Sequence, residues 1–561
     1  SDLSLTNLIS GETVILSGSG SVTSKDVGAN KTVTAGSLAL TGSGSGNYTL
    51  SNYTTTFEIT PKVLNSSGSR VYNGTTNAVA SDVTLSNLVG SETLNVSGTG
   101  SVLSAAVGTG KNITLGSLAL ANNSGNASNY TLIGGTHTLA ITRRPITIAA
   151  SKVYDGTTSL DGTSVSTTFT YNNIVGTEII TQTGTGSVSS ANVSSGQSVT
   201  LGSISLVDGS GAAGNYSLTS ATLDITRRPI SLSGSRVYDA TTTATSTNLS
   251  TLSNLVGSET LVLSNSGTVA NKNVGVDKTV TVGSLNLGDG SNGGLGSNYT
   301  LSGGTHTLSV TKRPITISGT RGYDGTITVS NSSINALNNR AGGETLSLTG
   351  SGSIGSAAVG SGKSVVLGSL ALADNSGSAS NYLLSSGTFD VTAKNVTFIA
   401  SRVYDGTTTV NSSNISTTFS GLAGSETLTL SGSGSVASKN VASGQSITMG
   451  SVSLGNGTGV SSNYSLTSGT LNITARPLNL SGSKVYDTTT TAAAANLSTI
   501  GNLVGSETLN LSGNAAVSDA NVGSTKTLTN ASLSGLSLAN GSNGGLASNY
   551  ALSGGNHSLS I

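Results

Sequence analysis

Three histidines, one lysine-bearing glycine loop and two recurring carboxylates are the residues of this 561-residue chain whose types could do chemistry. His137, His306 and His557 could ligate a metal or move a proton. They stand at one phase, in "GGTH", "GGTH" and "GGNH" of three distant segments, so no two share a site by sequence and they read as strand-end residues. "GSGKS" at 360–364 imitates the tail of a phosphate-binding loop. That loop needs a glycine five positions before Gly362, where Ala357 stands, and a helix afterwards, where "VVLGSLAL" alternates like a strand.

The first carboxylate lies in six near-copies of one string: "SRVYNGTTN", "SKVYDGTTS", "SRVYDATTT", "TRGYDGTIT", "SRVYDGTTT" and "SKVYDTTTT". Their tyrosines are Tyr72, Tyr154, Tyr238, Tyr323, Tyr404 and Tyr486. The aspartate could be a metal ligand or an acid, but Asn73 replaces it once, and Ala240 or Thr488 replaces the glycine. Carboxylate chemistry would not survive asparagine, and a required positive φ would disfavour Ala and Thr. A type I or Asx turn, with the side chain bonding its own backbone, accommodates every variant.

The second carboxylate is a glutamate in "GET", "SET" or "TEI". Glu12, Glu92, Glu178, Glu259, Glu344, Glu426 and Glu507 are seven of the eight glutamates, all at one phase. A base stands two residues before each tyrosine of the first string: Arg70, Lys152, Arg236, Arg321, Arg402 and Lys484. In a chain only 9% charged, a charge kept at one phase needs a partner, because an unpaired, partly buried ion is costly. The expectation is a base–glutamate pair within each repeat, such as Arg402 with Glu426. Calcium held at the joints by these glutamates, or by the loop residues Asp208, Asp289 and Asp374, is an alternative, limited by the asparagine that replaces the loop aspartate in "LANNS" and "LGNGT". No Ser or Thr stands in a fixed relation to a His and an Asp, so neither an enzyme nor a bound cofactor is expected.

The elements that must position these residues follow from the period. The six tyrosines recur every 81 to 85 residues, and a second marker, Asn-Tyr, places Tyr48, Tyr130, Tyr216, Tyr299, Tyr382, Tyr464 and Tyr550 at the same interval. All five prolines (Pro61, Pro145, Pro229, Pro314 and Pro477) share one phase, which marks a strand end or a joint. Taking that phase as the boundary gives seven repeats: 1–60, which starts inside a unit, then 61–144, 145–228, 229–313, 314–394, 395–476 and 477–561. Within them apolar residues alternate, as in "TLDIT" at 222–226, between clusters of Gly, Ser, Asn and Asp. The fold class predicted is all-β, a tandem array of sandwich-like, immunoglobulin-like repeats forming an elongated rod. A β-solenoid is the competing architecture, but it would show a coil of about 20 residues inside the unit, and none is present. A longer copying period also shows, with "SAAVG" and "GSLALA" shared by repeats two and five and "GSNGGL" by repeats four and seven.

Composition narrows the class of partner. Net charge is zero, with 24 basic and 24 acidic residues, so attraction to nucleic acid or anionic lipid is not expected. There is no cysteine, hence no disulfide or thiolate site, and no apolar run reaches a membrane span of about 20 residues.

The succession "VYDGTTT", "GSETLTLSGSGSV", "KNVASGQSITMGSVSL" and "SNYSLTSGTLNITARPL" resembles the YDG-type repeat of large secreted bacterial adhesins and haemagglutinin-like exoproteins, and the resemblance runs through the whole chain. It implies a stalk at a Gram-negative cell surface, carrying a distal binding region for adhesion or biofilm. The partners then expected are neighbouring repeats of the same chain, with extracellular polysaccharide or other fibre chains as further possibilities. A multivalent glycan- or matrix-binding module is the alternative. It is weakened because 13 of 15 tyrosines belong to the two structural motifs and tryptophan is absent.

Overall fold

Alternation of apolar and polar residues puts one face of each short segment in a core, and the chain accordingly folds as strands. The computed structural model describes residues 2–51, 56–161 and 167–561. Among them there is no α-helix, and only single 3-10 turns interrupt the strands. The protein is an all-β tandem array of seven repeats. The chain divides into two compact units. One comprises 1–234, 244–268 and 279–307, and the other 235–243, 269–278 and 308–561.

The fifth repeat, inside the second unit, shows the plan. Its strands are β1 (Arg313–Gly322), β2 (Thr328–Ser330), β3 (Ile334–Asn338), β4 (Leu346–Thr349), β5 (Ser351–Ile354), β6 (Gly360–Val366), β7 (Ala371–Asp374) and β8 (Tyr382–Thr392). Six form one sheet in the order β2-β5-β6-β8-β1-β3, while β4 and β7 pair antiparallel apart from it. The "GSGKS" segment is the start of β6, so no helix follows its lysine.

At the centre of this sheet β1 and β8, first and last in the repeat, run parallel from Arg313↔Tyr382 to Gly322↔Thr392. The third repeat, in the first unit, repeats the arrangement between Arg144–Val153 and Tyr216–Thr226. Parallel pairing of the first and last strands means a repeat is entered at one end and left at the other. From β8 the chain passes through Ala393 into Lys394–Val403, the first strand of the next repeat, and Lys394, like Arg144, Arg228, Arg313 and Arg476, belongs with the strand and the repeat that it opens. The strand pairs described all join strands of one repeat, so these are successive sheets rather than the continuous ladder of a solenoid.

The core runs on from one repeat into the next, with Ile317, Val329, Phe389 and Val391 of the fifth repeat clustered with Val396, Ala423, Leu428 and Tyr464 of the sixth. In the fifth repeat Ile315, Ile317, Val329, Ile354, Phe389 and Val391 are buried, drawn from alternate positions of β1, β2, β5 and β8. Pro314 is the second residue of β1, where loss of a backbone donor is tolerated, and Pro145, Pro229 and Pro477 sit likewise.

Candidate functional site, the joint between repeats

The two tyrosine markers and the glutamate converge where one repeat meets the next. Tyr323 follows β1 of the fifth repeat, at the end where the chain leaves it. Tyr464 opens the last strand of the sixth repeat, at the end where the chain enters. Their rings meet edge to face at 5.4 Å and 79°. Glu426 lies between them, accepting the Tyr323 hydroxyl on Oε1 at 2.7 Å and the Tyr464 hydroxyl on Oε2 at 2.6 Å. The same triad joins Tyr72, Glu178 and Tyr216; Tyr154, Glu259 and Tyr299; Tyr238, Glu344 and Tyr382; and Tyr404, Glu507 and Tyr550. Glu92 receives Tyr130 at 2.5 Å and Lys25 of the preceding repeat at 3.1 Å. Lys272 and Lys439 reach across in the same way to Glu344 and Glu507.

Electrostatics suit a fastener. Burial pushes the phenols of Tyr154, Tyr216, Tyr382, Tyr404, Tyr464 and Tyr550 up to about 12, and the adjoining carboxylate adds to the rise. Burial also pushes the Glu507 carboxyl up, but Tyr550, Tyr404 and Lys439 outweigh it and leave it below its ordinary value. The carboxylate therefore stays ionised with both oxygens accepting charge-assisted bonds, so it is a poor candidate for proton transfer.

Two further groups cross the joint. Asn549, fully buried before Tyr550, accepts the Val441 N–H of the preceding repeat at 2.8 Å and donates to Asn440 at 2.9 Å. Asn215, Asn298, Asn381 and Asn463 accept from Val107, Val193, Val274 and Val359. The arginine before four of the five prolines is a clamp that sequence reasoning passed over. Arg476 donates through Nε and NH2 to the carbonyl and side chain of Asn502, both at 2.7 Å, and through NH1 to the Tyr404 carbonyl of the preceding repeat at 3.3 Å. Arg144, Arg228 and Arg313 act alike on Asn173, Asn254 and Asn339. The available signal was the Arg-Pro dipeptide, since proline holds the residue before it extended and aims its side chain sideways.

The family model for the YDG domain matches seven times in tandem, at residues 1–56, 58–140, 137–223, 226–308, 309–389, 390–471 and 470–557. The chain belongs to the YDG domain family. No curated protein matches it.

The bases of the YDG strings do not pair with the glutamates. Arg402 pairs with Asp405 at 3.1 Å, and Arg236, Arg321, Lys152 and Lys484 with the aspartate three residues on. In the second YDG repeat, where that residue is Asn73, Arg70 reaches Asp82 at 3.8 Å. Geometry explains the correction. The base is the last residue but one of the first strand, Lys394–Val403, and the glutamate sits at that strand's beginning, so about eight residues at roughly 3.3 Å each separate them. Lys152 shows what the base does: buried, it donates to Asp155 at 3.0 Å and to the carbonyls of Thr157 at 2.9 Å and Ser159 at 2.7 Å, lacing the turn together.

The YDG turn itself is Asx-type, with Thr407 N–H donating to Asp405 Oδ1 at 3.0 Å and Thr75 N–H to Asn73 Oδ1 at 3.1 Å. Its third residue does take positive φ, contrary to expectation: 79° at Gly406, but also 66° at Ala240 and 64° at Thr488. Those two absorb a backbone strain of about 1 kcal/mol because the Asx bond and the base beneath hold the turn shut.

The remaining candidates are structural. His137 bridges Ser66 Oγ at 2.8 Å and the Leu132 carbonyl at 2.7 Å, while His306 and His557 lie by the carbonyls of Leu301 and Leu552. Asp208, Asp289 and Asp374 each accept one backbone N–H, from Ala213, Gly296 and Ala379, and Asn122 and Asn456 do the same for Ala127 and Ser461. One neutral acceptor is enough there, which is why asparagine interchanges with aspartate. No cluster of three or more metal-ligating side chains occurs among the described residues. Tyr486 alone of the six YDG tyrosines is exposed, at 52%, while the others are 6% or less.

Proposed function

We propose that this chain is a structural stalk segment of a bacterial cell-surface or secreted adhesin, without catalytic activity, carrying a distal binding region away from the surface. The observation that supports this most is the repetition of one joint. A tyrosine–glutamate–tyrosine triad and an asparagine fasten one YDG repeat to the next at five joints, and an arginine clamp joins them at four of these. Nearest-neighbour contacts repeated in this way build length without forming a unique cleft. Of the six YDG tyrosines five are buried in the joints and Tyr486 alone is exposed, so the glycan-binding alternative has little aromatic surface to act through.

Small-angle scattering tests the reading. A repeat of this size has a radius of gyration of about 12 Å and a diameter of about 30 Å, so seven in line span about 200 Å. A maximum dimension below about 100 Å would mean the repeats fold back on one another, and the stalk would lose its mechanical basis.

A further inference from the structure

At each joint the turn residue after Tyr-Asp or Tyr-Asn faces the residue three before the next repeat's glutamate. A methyl group built on Gly74, Gly156 or Gly406 would lie 2.8, 2.8 or 2.5 Å from a Cγ of Val175, Val256 or Val504, too close to be accommodated without movement. Where the facing residue is Ala423, a methyl group on Gly325 would sit at an ordinary 3.8 Å. Where the turn residue is itself Ala240, the facing segment is Ala341-Gly342, and even a methyl group placed on Gly342 would be 3.0 Å from it. Valine thus meets only glycine, and the one turn that carries a side chain meets alanine.

The last repeat presents the same face uncovered. Tyr486 is 52% and Val522 74% exposed. Val522 matches Val441, whose N–H crosses the joint to Asn549, and its own N–H has no partner among the described residues. The turn residue here is Thr488, the bulkiest of the six, held at φ 64°.

We propose that these facing positions form a size-matched pair that decides which YDG repeat can follow which. The open face around Tyr486 is then built to receive a further YDG repeat that carries alanine or glycine, not valine, three residues before its glutamate. This goes beyond the stalk reading, because it specifies the order of neighbours whatever the array carries.

Two experiments on the full chain test it, read as the rate of tyrosine nitration at each site by peptide mass spectrometry. In the first, threonine is placed at two turns that pay the same backbone strain. Gly406→Thr, facing Val504, should speed nitration of Tyr404 about tenfold, and Val504→Ala should restore protection, while Gly325→Thr, facing Ala423, should leave Tyr323 protected. Equal effects at both turns, or no rescue by Val504→Ala, would overturn the size rule. In the second, residues 311–394 (bearing Ala341) or 474–561 (bearing Val504) are appended after Ile561, with folding of the added repeat checked by hydrogen exchange of its own strands. The first addition should slow nitration of Tyr486 about tenfold and the second should not, unless Thr488→Gly accompanies it. Protection by both refutes the rule, and protection by neither folded addition refutes the docking face. Protection of Tyr486 that rises with concentration of the unextended chain would make a second copy the occupant, which also overturns the rule, since Ile9 stands at the facing position of repeat one.

Discussion

Tyr404 of the sixth repeat donates its phenol proton to Glu507 of the seventh at 2.7 Å, across 103 residues of chain. Tyr550 closes on the other carboxylate oxygen at 2.6 Å, so one buried anion is shared between two repeats, with Lys439 of the sixth also reaching it at 3.2 Å.

Glu507→Gln should loosen this joint. The amide keeps one acceptor oxygen and turns an NH2 donor toward a phenol that also donates, so one bond is lost and one donor pair conflicts. A destabilisation of the seventh repeat by about 1 to 3 kcal/mol is expected, with Tyr404→Phe costing about 1 kcal/mol. Hydrogen exchange of the seventh repeat's strands measures both, and an unchanged pattern in Glu507→Gln would refute the triad's role.

Alkali should open the joints. The folded phenols ionise near 12, above the ordinary value of 10, so their contribution is complete below about pH 10 and is lost as pH rises towards 12. A tyrosinate can no longer donate to the carboxylate and repels it. Ultraviolet titration should show the joint tyrosines ionising together with loss of structure near pH 12. Ionisation of all of them near pH 10 with the fold intact would contradict the buried triads.

Arg402→Lys should be harmless or stabilising by up to about 1 kcal/mol. The Arg402 Nε is buried without a partner, whereas lysine at the equivalent positions 152 and 484 uses its whole ammonium group. Arg402→Ala should cost about 1 to 3 kcal/mol, because the Thr407 and Thr409 carbonyls lose their donor. Thermal unfolding of the two variants side by side makes the comparison, and a lysine variant as damaged as alanine would refute the account of the base.

Much of this architecture is visible in the sequence. The tyrosine period, the proline phase and the alternation in "TLDIT" lead to seven β-rich repeats, because each rests on local rules of strand and turn. The partner of the glutamate is not visible in it. Glu426 and Arg402 are close in sequence and oppositely charged, yet a strand holds them at opposite ends of a repeat, and the group that reaches Glu426 belongs to the previous repeat, 103 residues back. The positive φ of Ala240 and Thr488 is hidden for another reason: the lacing that offsets the strain comes from Arg236 and Lys484, four residues before, bases whose charge alone points as readily to the glutamate.

Arg476→Ala should weaken the same joint more gently, by about 1 kcal/mol, since its bonds to Asn502 and the Tyr404 carbonyl are partly exposed. Faster exchange confined to the segment around Asn502 and the neighbouring YDG turn is the expected signature, and exchange unchanged there would contradict the clamp.

The central claim is that the motif tyrosine and the motif glutamate act on each other across the joint. A double-mutant cycle of Tyr404→Phe and Glu507→Gln, read as protection of the Val441 amide that crosses to Asn549, measures this most directly. The account predicts a coupling of about 1 to 2 kcal/mol, with the double variant little worse than Glu507→Gln alone. Effects that simply add, to within about 0.3 kcal/mol, would mean the two residues stabilise their own repeats independently and would contradict it.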